Sequence, residues 1–252
     1  MGAVLVGNFT LIPLAVWGLL VLVPDDPAIR LGVLLVLLVP CTDWYITFTH
    51  LGGGDTRRAI AATPVNLLVQ LALLPLYLWL FMGDAFFELL AADRIALIFA
   101  TLIVLPLVAA WLTERWAERR PTRQKLVDRF GWLPIPLLGV VVFLIAASQV
   151  QAVLQALPVL GQVLVVFVAF LIAAAFIGVL LRRALHLPMG SARALIFSLG
   201  TRNSFVVLPL SLALAAQWQT STVVIVFQSL VELFGMVAYL WLVPRVLGPS
   251  PK

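Results

Sequence analysis

Two ionisable side chains interrupt apolar segments that are otherwise long enough to cross a membrane. Asp43 lies in the largely apolar stretch 28–51 and Arg202 in the stretch 190–216, and each stands beside helix-breaking residues. An ionisable group at membrane depth costs about 3 kcal/mol on insertion scales, so a functional role is its default interpretation. Interrupted apolar segments at matching positions in two halves of a chain are typical of a midplane binding site. The pair therefore predicts a transport protein.

The composition places the whole chain in a membrane. Apolar residues make up 63% of it and charged residues 11%, with a mean hydropathy of +1.13. So few polar groups cannot cover a soluble surface, and the chain is predicted to be an all-α polytopic membrane protein. Counting the two interrupted stretches, we expect about eight membrane segments. They are 3–23, 28–51, 60–82, 95–113, 131–154, 157–181, 190–216 and 219–243.

Basic residues predict the orientation. If the loop after the second segment is cytoplasmic, thirteen of the 16 Lys and Arg residues lie inside, only Arg30 and Arg94 lie outside, and Arg202 lies in the membrane. This bias follows the positive-inside rule and predicts both termini in the cytoplasm, with the protein in an inner membrane. The basic loop 114–129 also carries acids, so we interpret it as a solvated connector rather than a nucleic-acid-binding surface.

An internal repeat with an offset of 162 residues organises the chain. The sequence Tyr77–Leu80 recurs as Tyr239–Leu242, and 239 − 77 = 162. Five predicted crossings separate the two copies, so the second is inverted relative to the first. We predict a first, amino-terminally incomplete repeat at 1–93, a second at 94–245 and a cytoplasmic tail at 246–252. The same offset aligns scarce polar residues: Cys41 with Asn203, Thr42 with Ser204, Asn66 with Gln228, and Gln70 with Glu232.

Each interrupted segment has a local cause. Pro40 lacks an amide hydrogen, Gly200 weakens its helix, and Pro209 frees a carbonyl one turn earlier. Unpaired backbone at membrane depth persists only where it lines a cavity or is buried in protein. We therefore predict two broken, crossing helices that bind a small inorganic or organic solute, with Arg202 favouring an anionic group. The candidate substrate-binding residues are Cys41, Thr42, Asp43, Thr201, Arg202, Asn203 and Ser204.

Several of these residues have a second interpretation. Asp43 and Arg202 could neutralise each other as a structural ion pair. Asn66 and Gln70 share a helix face, as do Gln228 and Glu232, and either pair could line the site or simply bond neighbouring helices. Glu232, near the middle of its segment, is a candidate proton carrier. Aromatic residues near segment ends are predicted to lie in the interfacial belts, among them Tyr77, Trp79 and Trp241.

Both interrupted segments carry a family resemblance. Pro40–Asp55, PCTDWYITFTHLGGGD, and Gly200–Ser204, GTRNS, resemble the two crossovers of the bile acid, arsenite and riboflavin transporter superfamily. Within it the chain is similar to arsenite efflux permeases of the arsenical-resistance type and to bile acid:sodium symporters. The resemblance implies ten helices in two inverted repeats of five. Because one helix rather than three precedes the first break, we expect the chain to lack two amino-terminal helices of that fold.

The resemblance also implies roles for residues. Cys41 matches a permease cysteine implicated in handling the metalloid, and a thiol is a soft ligand for trivalent arsenic. The symporters place an amide where this chain has Arg202, a fixed cation that argues against a sodium site. The residues therefore favour arsenite-permease-like efflux driven by the proton gradient, with Asp43 or Glu232 carrying the proton. The alternatives are an organic-anion transporter, motivated by Arg202, and a non-transporting or truncated membrane protein.

Other classes of protein find no support in the sequence. It contains no catalytic triad, phosphate-binding loop or metal-ligand cluster, and His50 and His186 are far apart. We therefore expect no enzyme activity, no cofactor, no metal site and no nucleic-acid partner. Cys41 is the single cysteine, which excludes an internal disulfide, and the sequence does not indicate an oligomeric state.

Overall fold

A computed structural model describes residues 1–83, 101, 104–118, 120–130, 133, 136–137, 140, 143–144 and 150–248. Over these residues the chain is helical, and no strand is assigned in them. The longer helices assigned within these described residues are α1 (Gly2–Leu22), α2 (Pro27–Leu38), α3 (Trp44–Leu51), α4 (Thr56–Met82), α5 (Leu105–Glu118), α6 (Pro121–Phe130), α7 (Val150–Ala184), α8 (Met189–Gly200), α9 (Ser204–Leu212) and α10 (Thr220–Leu247).

Several of the described helices have the length and apolarity of membrane spans. They are α1, α4, the part of α7 at Pro158–Ala184, and Ala216–Leu247, which contains α10. The predicted all-α polytopic membrane protein is thereby confirmed. The stretches 28–51 and 190–216 are each two short helices separated by a break, as predicted. The predicted segments at 95–113 and 131–154 fall partly outside the described residues.

The first break follows from the residues that bound it. Asp26 caps α2, since its Oδ1 accepts hydrogen bonds from the N–H groups of Ala28 and Ile29 at 2.8 and 3.1 Å. The helix ends at Leu38 because a residue that precedes proline is driven to extended backbone. Val39, before Pro40, has φ −105° and ψ 104°.

The second break occupies the equivalent place in the chain. Helix α8 ends at Gly200 and Thr201 is extended, with φ −95° and ψ 139°. Asn203 then caps α9, its Oδ1 accepting from the N–H of Val206 at 3.2 Å. Helices α2 and α8 begin and end at the same offset, since 189 − 27 and 200 − 38 both equal 162. The 162-residue offset found between Tyr77–Leu80 and Tyr239–Leu242 thus also relates the boundaries of α2 to those of α8.

Two buried tyrosines repeat one contact at that offset. Tyr77 donates a hydrogen bond to the carbonyl of Phe9 at 2.6 Å. Tyr239 donates to the carbonyl of Leu171, which lies 162 residues after Phe9. Tyr77 is buried, and its hydroxyl finds a protein partner inside the helix packing, while its place in an interfacial belt stays a prediction. Trp79, on the same helix, is 48% exposed.

Met1–Glu88 and Pro158–Lys252 form one compact unit. Helix α2 lies at its centre, and every residue from 31 to 38 is buried, as expected of a helix that is apolar all round. Gly32 allows α2 to approach α10 closely: a Cβ at this position would lie 2.8 Å from the carbonyl oxygen of Ser221. The close approach requires glycine because the neighbour is backbone, which cannot rotate away.

Leu89–Leu157 forms the second compact unit. Its described part includes helices α5 and α6. Two arginines stack on tryptophans there: Arg115 lies 4.3 Å from the Trp111 ring centroid and Arg123 lies 4.7 Å from that of Trp116. These are cation–π contacts at the surface, where Arg123 is partly exposed and the other three side chains are exposed.

Candidate functional site

The two breaks meet and pair through their backbones. The N–H of Cys41 donates to the carbonyl of Thr201 at 3.2 Å, and the N–H of Asn203 donates to the carbonyl of Val39 at 2.8 Å. The pairing is an antiparallel bridge centred on Pro40 and Arg202. Backbone groups that the broken helices leave unpaired are thereby satisfied inside the protein, which is what permits non-helical chain at membrane depth.

Polar side chains join the breaks at the same place. Asn203 caps α9 through its Oδ1 and donates from Nδ2 to the hydroxyl of Thr42 at 3.1 Å. Thr201 turns its hydroxyl back to the carbonyl of Phe197, at 2.8 Å. The structure thus brings Thr42 and Asn203 into contact, and these side chains are buried.

The guanidinium of Arg202 is held in a cage of neutral oxygens. Its Nη1 donates to the carbonyl of Leu37 at 3.3 Å. Its Nη2 lies 2.9 Å from Oδ1 of Asn8, 3.1 Å from the carbonyl of Ser198 and 2.5 Å from that of Leu199. These carbonyls belong to the last turns of α2 and α8, whose partial negative charge favours a cation. Arg202 therefore binds the carboxyl ends of both broken helices.

Asn8 completes this cage and was missed in the sequence. It lies in a π-helical stretch, Gly7–Leu11, inside α1. Its Nδ2 donates to the hydroxyl of Ser198 at 2.9 Å while its Oδ1 accepts from Arg202. The sequence signal that could have identified Asn8 was an amide side chain within the uncharged run 3–23, where polar residues are scarce. π-Helical turns often occur at functional sites.

A hydrogen-bonded chain links the second break to α10. The hydroxyl of Ser204 donates to Oε1 of Gln228 at 2.9 Å, and Nε2 of Gln228 donates to Oε2 of Glu232 at 2.8 Å. The same carboxylate oxygen accepts from the backbone N–H of Arg202, also at 2.8 Å. Glu232 is thus held against the break through main-chain and amide donors.

The corresponding residues of the first half form no such chain. Asn66 and Gln70 are buried on α4, at 0% and 2% exposure. Neither atom of either side-chain amide has a hydrogen-bond partner among the described residues. The structure therefore joins Gln228 and Glu232 to the second break, whereas the amides of Asn66 and Gln70 form no hydrogen bond to either break.

Asp43 and Arg202 do not form the ion pair considered as one interpretation. Among the described residues the salt bridges are Arg30–Asp25 and Arg58–Asp55. Asp43 precedes α3 at the position of a helix cap, yet its carboxylate makes no capping hydrogen bond. It is exposed, while the guanidinium of Arg202 is buried against α2 and α8.

A small cavity of about 30 Å³ lies at the crossing. Cys41, Asp43, Asn203, Ser204 and Glu232 are among the residues that line it. This volume accommodates about one water-sized molecule, so the crossing is nearly closed in this conformation. The cavity places a thiol, two carboxylates and neutral polar groups around one point.

Long apolar helices, two broken helices that cross, and ionisable groups gathered at the crossing define a polytopic membrane transporter. The sequence model of the sodium bile acid symporter family matches residues 1–156. The chain belongs to that family. The matched residues include the first break, Asn66 and Gln70, whereas the second break and Glu232 lie beyond them. Among curated proteins no match to the chain was found.

Proposed function

We propose that this protein is a secondary active transporter that exports arsenite, or a chemically similar small solute, using the proton gradient. The observation that carries the proposal is the crossing itself, where Cys41, Asp43 and Glu232 share one small cavity. A thiol is a soft ligand suited to trivalent arsenic, and carboxylates at membrane depth are typical proton carriers.

The transport mechanism that this geometry supports is alternating access around the two breaks. The 162-residue repeat, with boundaries 1–93 and 94–245 and the tail 246–252, supplies the two inverted halves that such a mechanism requires. The crossing cavity holds about 30 Å³, so a substrate reaches it only after the halves move apart. The proposed transport therefore requires the two halves to move between a closed and an open state.

Individual roles follow from the contacts. Cys41 binds the solute, and Thr42, Thr201, Asn203 and Ser204 supply neutral polar groups beside it. Asp43 or Glu232 carries the proton, and Gln228 holds Glu232 in place through a 2.8 Å hydrogen bond. The protein lies in the inner membrane with both termini in the cytoplasm, as the distribution of basic residues predicts.

The environment of Arg202 supports coupling to protons over coupling to sodium. Its guanidinium already fills the oxygen-lined space between the ends of α2 and α8, and an arginine cannot give up its charge. The same contacts weigh against Arg202 as the binding group for an anionic solute, because its donors are turned toward protein carbonyls. Charge selectivity then arises from the cavity rather than from an open cation.

A second candidate is transport of an organic anion, which the name of the family favours. It predicts that bile-acid-like carboxylates or sulfonates compete for transport and that arsenite does not. The geometry supports it less well, because the described crossing cavity is small and two carboxylates of the same charge as such a substrate line it. Arg202 lines it as well, but its guanidinium donors are turned toward protein carbonyls.

The test is arsenite accumulation in everted membrane vesicles under an imposed proton gradient, with and without sodium. We expect accumulation that needs the proton gradient, is indifferent to sodium and is lost in Cys41→Ala. Leu76→Ala, on the exposed face of α4, is the control for expression and insertion. Absence of arsenite movement, together with taurocholate uptake, would replace this proposal by the second candidate.

A further inference from the structure

A second, larger cavity lies beside the crossing. It has a volume of about 230 Å³ and lies between α4, α8 and the start of α1. Its lining is mostly apolar, with Tyr45, Ala59, Ala62 and Ser198 among its residues. Ser198 receives the hydrogen bond from Asn8, so this end of the cavity adjoins the cage of Arg202.

Arg58 also lines this cavity. This is the one charged side chain among the described lining residues. It donates to the hydroxyl of Ser191 at 2.6 Å and pairs with Asp55 at 3.1 Å. Arg58 therefore ties α4 to α8, and its charge is already neutralised by Asp55.

The buried face of α4 continues from this cavity to two amides. Ala59, Ala62, Asn66 and Gln70 all belong to that buried face. Residues four apart on a helix have their Cβ atoms about 6 Å from each other, so Asn66 lies one turn beyond the cavity wall at Ala62 and Gln70 one turn further. The two amides are not among the residues that line the cavity, but they follow its wall residues Ala59 and Ala62 along the same buried face of α4.

The repeat explains why these amides lack partners. In the second half the carboxylate of Glu232 accepts from the backbone N–H of Arg202. The residue that corresponds to Arg202 is Pro40, since 202 − 162 = 40, and proline has no N–H to offer Gln70. In the second half, Gln228 accepts a hydrogen bond from the hydroxyl of Ser204. In the first half, Asn66 is one methylene shorter than Gln228, and Thr42, which corresponds to Ser204, has its hydroxyl bonded to Asn203.

Four buried amide atoms without partners are rare in a folded protein and call for a ligand. Each amide offers both a donor and an acceptor and carries no charge. We propose that Asn66 and Gln70 form a second set of binding groups, separate from Cys41 at the nearly closed crossing, for an uncharged, hydroxylated solute that enters through the 230 Å³ cavity beside Ala62. The inference rests on the proposed transport function and names the chemistry of its substrate. Arsenite belongs to this class, because it is uncharged As(OH)₃ at neutral pH.

The size and charge of the cavity agree with such a solute. Pockets for drug-sized ligands are about 300–1,000 Å³, so 230 Å³ suits a smaller molecule. Among the described lining residues, Arg58 is already paired with Asp55, and the other positive group is the terminal amine of Met1. A hydroxylated neutral molecule needs only the hydrogen bonds that the two amides leave open.

The first test is thermal unfolding of the purified full chain with arsenite, glycerol or taurocholate at neutral pH. We expect arsenite to raise the Tm of the unmodified protein and taurocholate to leave it unchanged. Asn66→Leu and Gln70→Met should lose the shift while unfolding at an equal or higher Tm without solute, because they remove unpaired buried amides. Gln228→Met is the matched control, and it should lower the Tm because it breaks two hydrogen bonds.

A structural role for the amides predicts the opposite pattern. If Gln70→Met lowers the Tm without solute and keeps the arsenite shift, the inference is overturned. Transport separates it from the proposed function: Gln70→Met should raise KM for arsenite tenfold or more. Arsenite transport with an unchanged KM in Gln70→Met would leave the proposed function standing and remove this site. A solute shift that depends on Gln70 in a protein that moves no arsenite would remove the proposed function and keep the site.

Discussion

Oε2 of Glu232 accepts a hydrogen bond from the backbone N–H of Arg202 at 2.8 Å. The two ionisable residues are thus joined through the main chain of the break, while the guanidinium turns toward the ends of α2 and α8. A change in the charge of Glu232 would act directly on the hydrogen bond that holds the break. This contact provides a short physical route between a carboxylate and the conformation of the crossing.

Asp43→Asn should abolish the dependence of transport on the pH gradient. Asparagine keeps the size of the side chain but cannot bind and release a proton, so downhill movement of solute persists while accumulation is lost. The measurement is arsenite accumulation in everted vesicles at several imposed pH gradients. Asp25→Asn is the control, because Asp25 is an aspartate whose side chain is 94% exposed. Unchanged coupling in Asp43→Asn would leave Glu232 as the proton carrier.

Arg202→Ala should destabilise the protein by about 3 kcal/mol or more. The change leaves several buried acceptors without donors, and each costs about 1–3 kcal/mol. Arg202→Lys should recover only part of this loss, because an ammonium cannot reproduce the planar fork that reaches both helix ends. Thermal unfolding in detergent measures the effect. Arg58→Ala, on an exposed arginine, should change stability by less than about 1 kcal/mol. Equal effects at the two positions would contradict the cage.

Gly32→Ala should be destabilising by about 1–3 kcal/mol. Its Cβ would lie 2.8 Å from the carbonyl oxygen of Ser221 and 2.9 Å from its Cα, and backbone cannot move aside as a side chain can. Gly18→Ala is the matched control in α1. Nothing lies within 4 Å of a Cβ there, so alanine should stabilise the helix by about 0.5–1 kcal/mol. Opposite shifts in Tm are expected, and shifts of the same sign would count against close packing at Gly32.

Tyr77→Phe and Tyr239→Phe should have similar costs, of about 1 kcal/mol each. Each removes one hydroxyl that donates to a buried carbonyl, and the two contacts occupy equivalent places in the repeat. The double variant should show additive loss, since the contacts share no partner. Chemical denaturation of the single and double variants measures this. A large effect at one tyrosine only would show that the repeat does not extend to the energetics of the two halves.

Sequence patterns predicted the membrane class, the two breaks and the 162-residue offset because each depends on local chemistry. Pro40 and Gly200 weaken a helix through their own backbone chemistry, and long uncharged runs need no tertiary contact to be recognised. The hydrogen-bond partners of the Arg202 guanidinium could not be predicted, because they depend on how three helices that are distant in sequence pack together. Asn8 was missed for the same reason: its importance arises from a contact with Ser198, 190 residues away.

The difference between the paired and unpaired amides was also hidden in the sequence. Aligning Gln70 with Glu232 suggested equivalent environments, whereas the structure gives only Glu232 a backbone donor. For Gln70 the reason is Pro40, whose missing N–H matters only once the breaks are seen to face one another. A symmetric pattern of residues therefore produced an asymmetric set of hydrogen bonds.

The bridge at the crossing is made by main-chain atoms of Val39, Cys41, Thr201 and Asn203. Any residue except proline can supply the same N–H and carbonyl groups at Cys41 and Thr201, so the joint itself places little demand on which side chains stand there. Within these few residues, the side chains can determine which solute binds, whereas the main-chain atoms hold the two breaks together. Selection, in a laboratory or in a genome, could therefore change which solute this protein recognises at the crossing without disrupting the main-chain bridge.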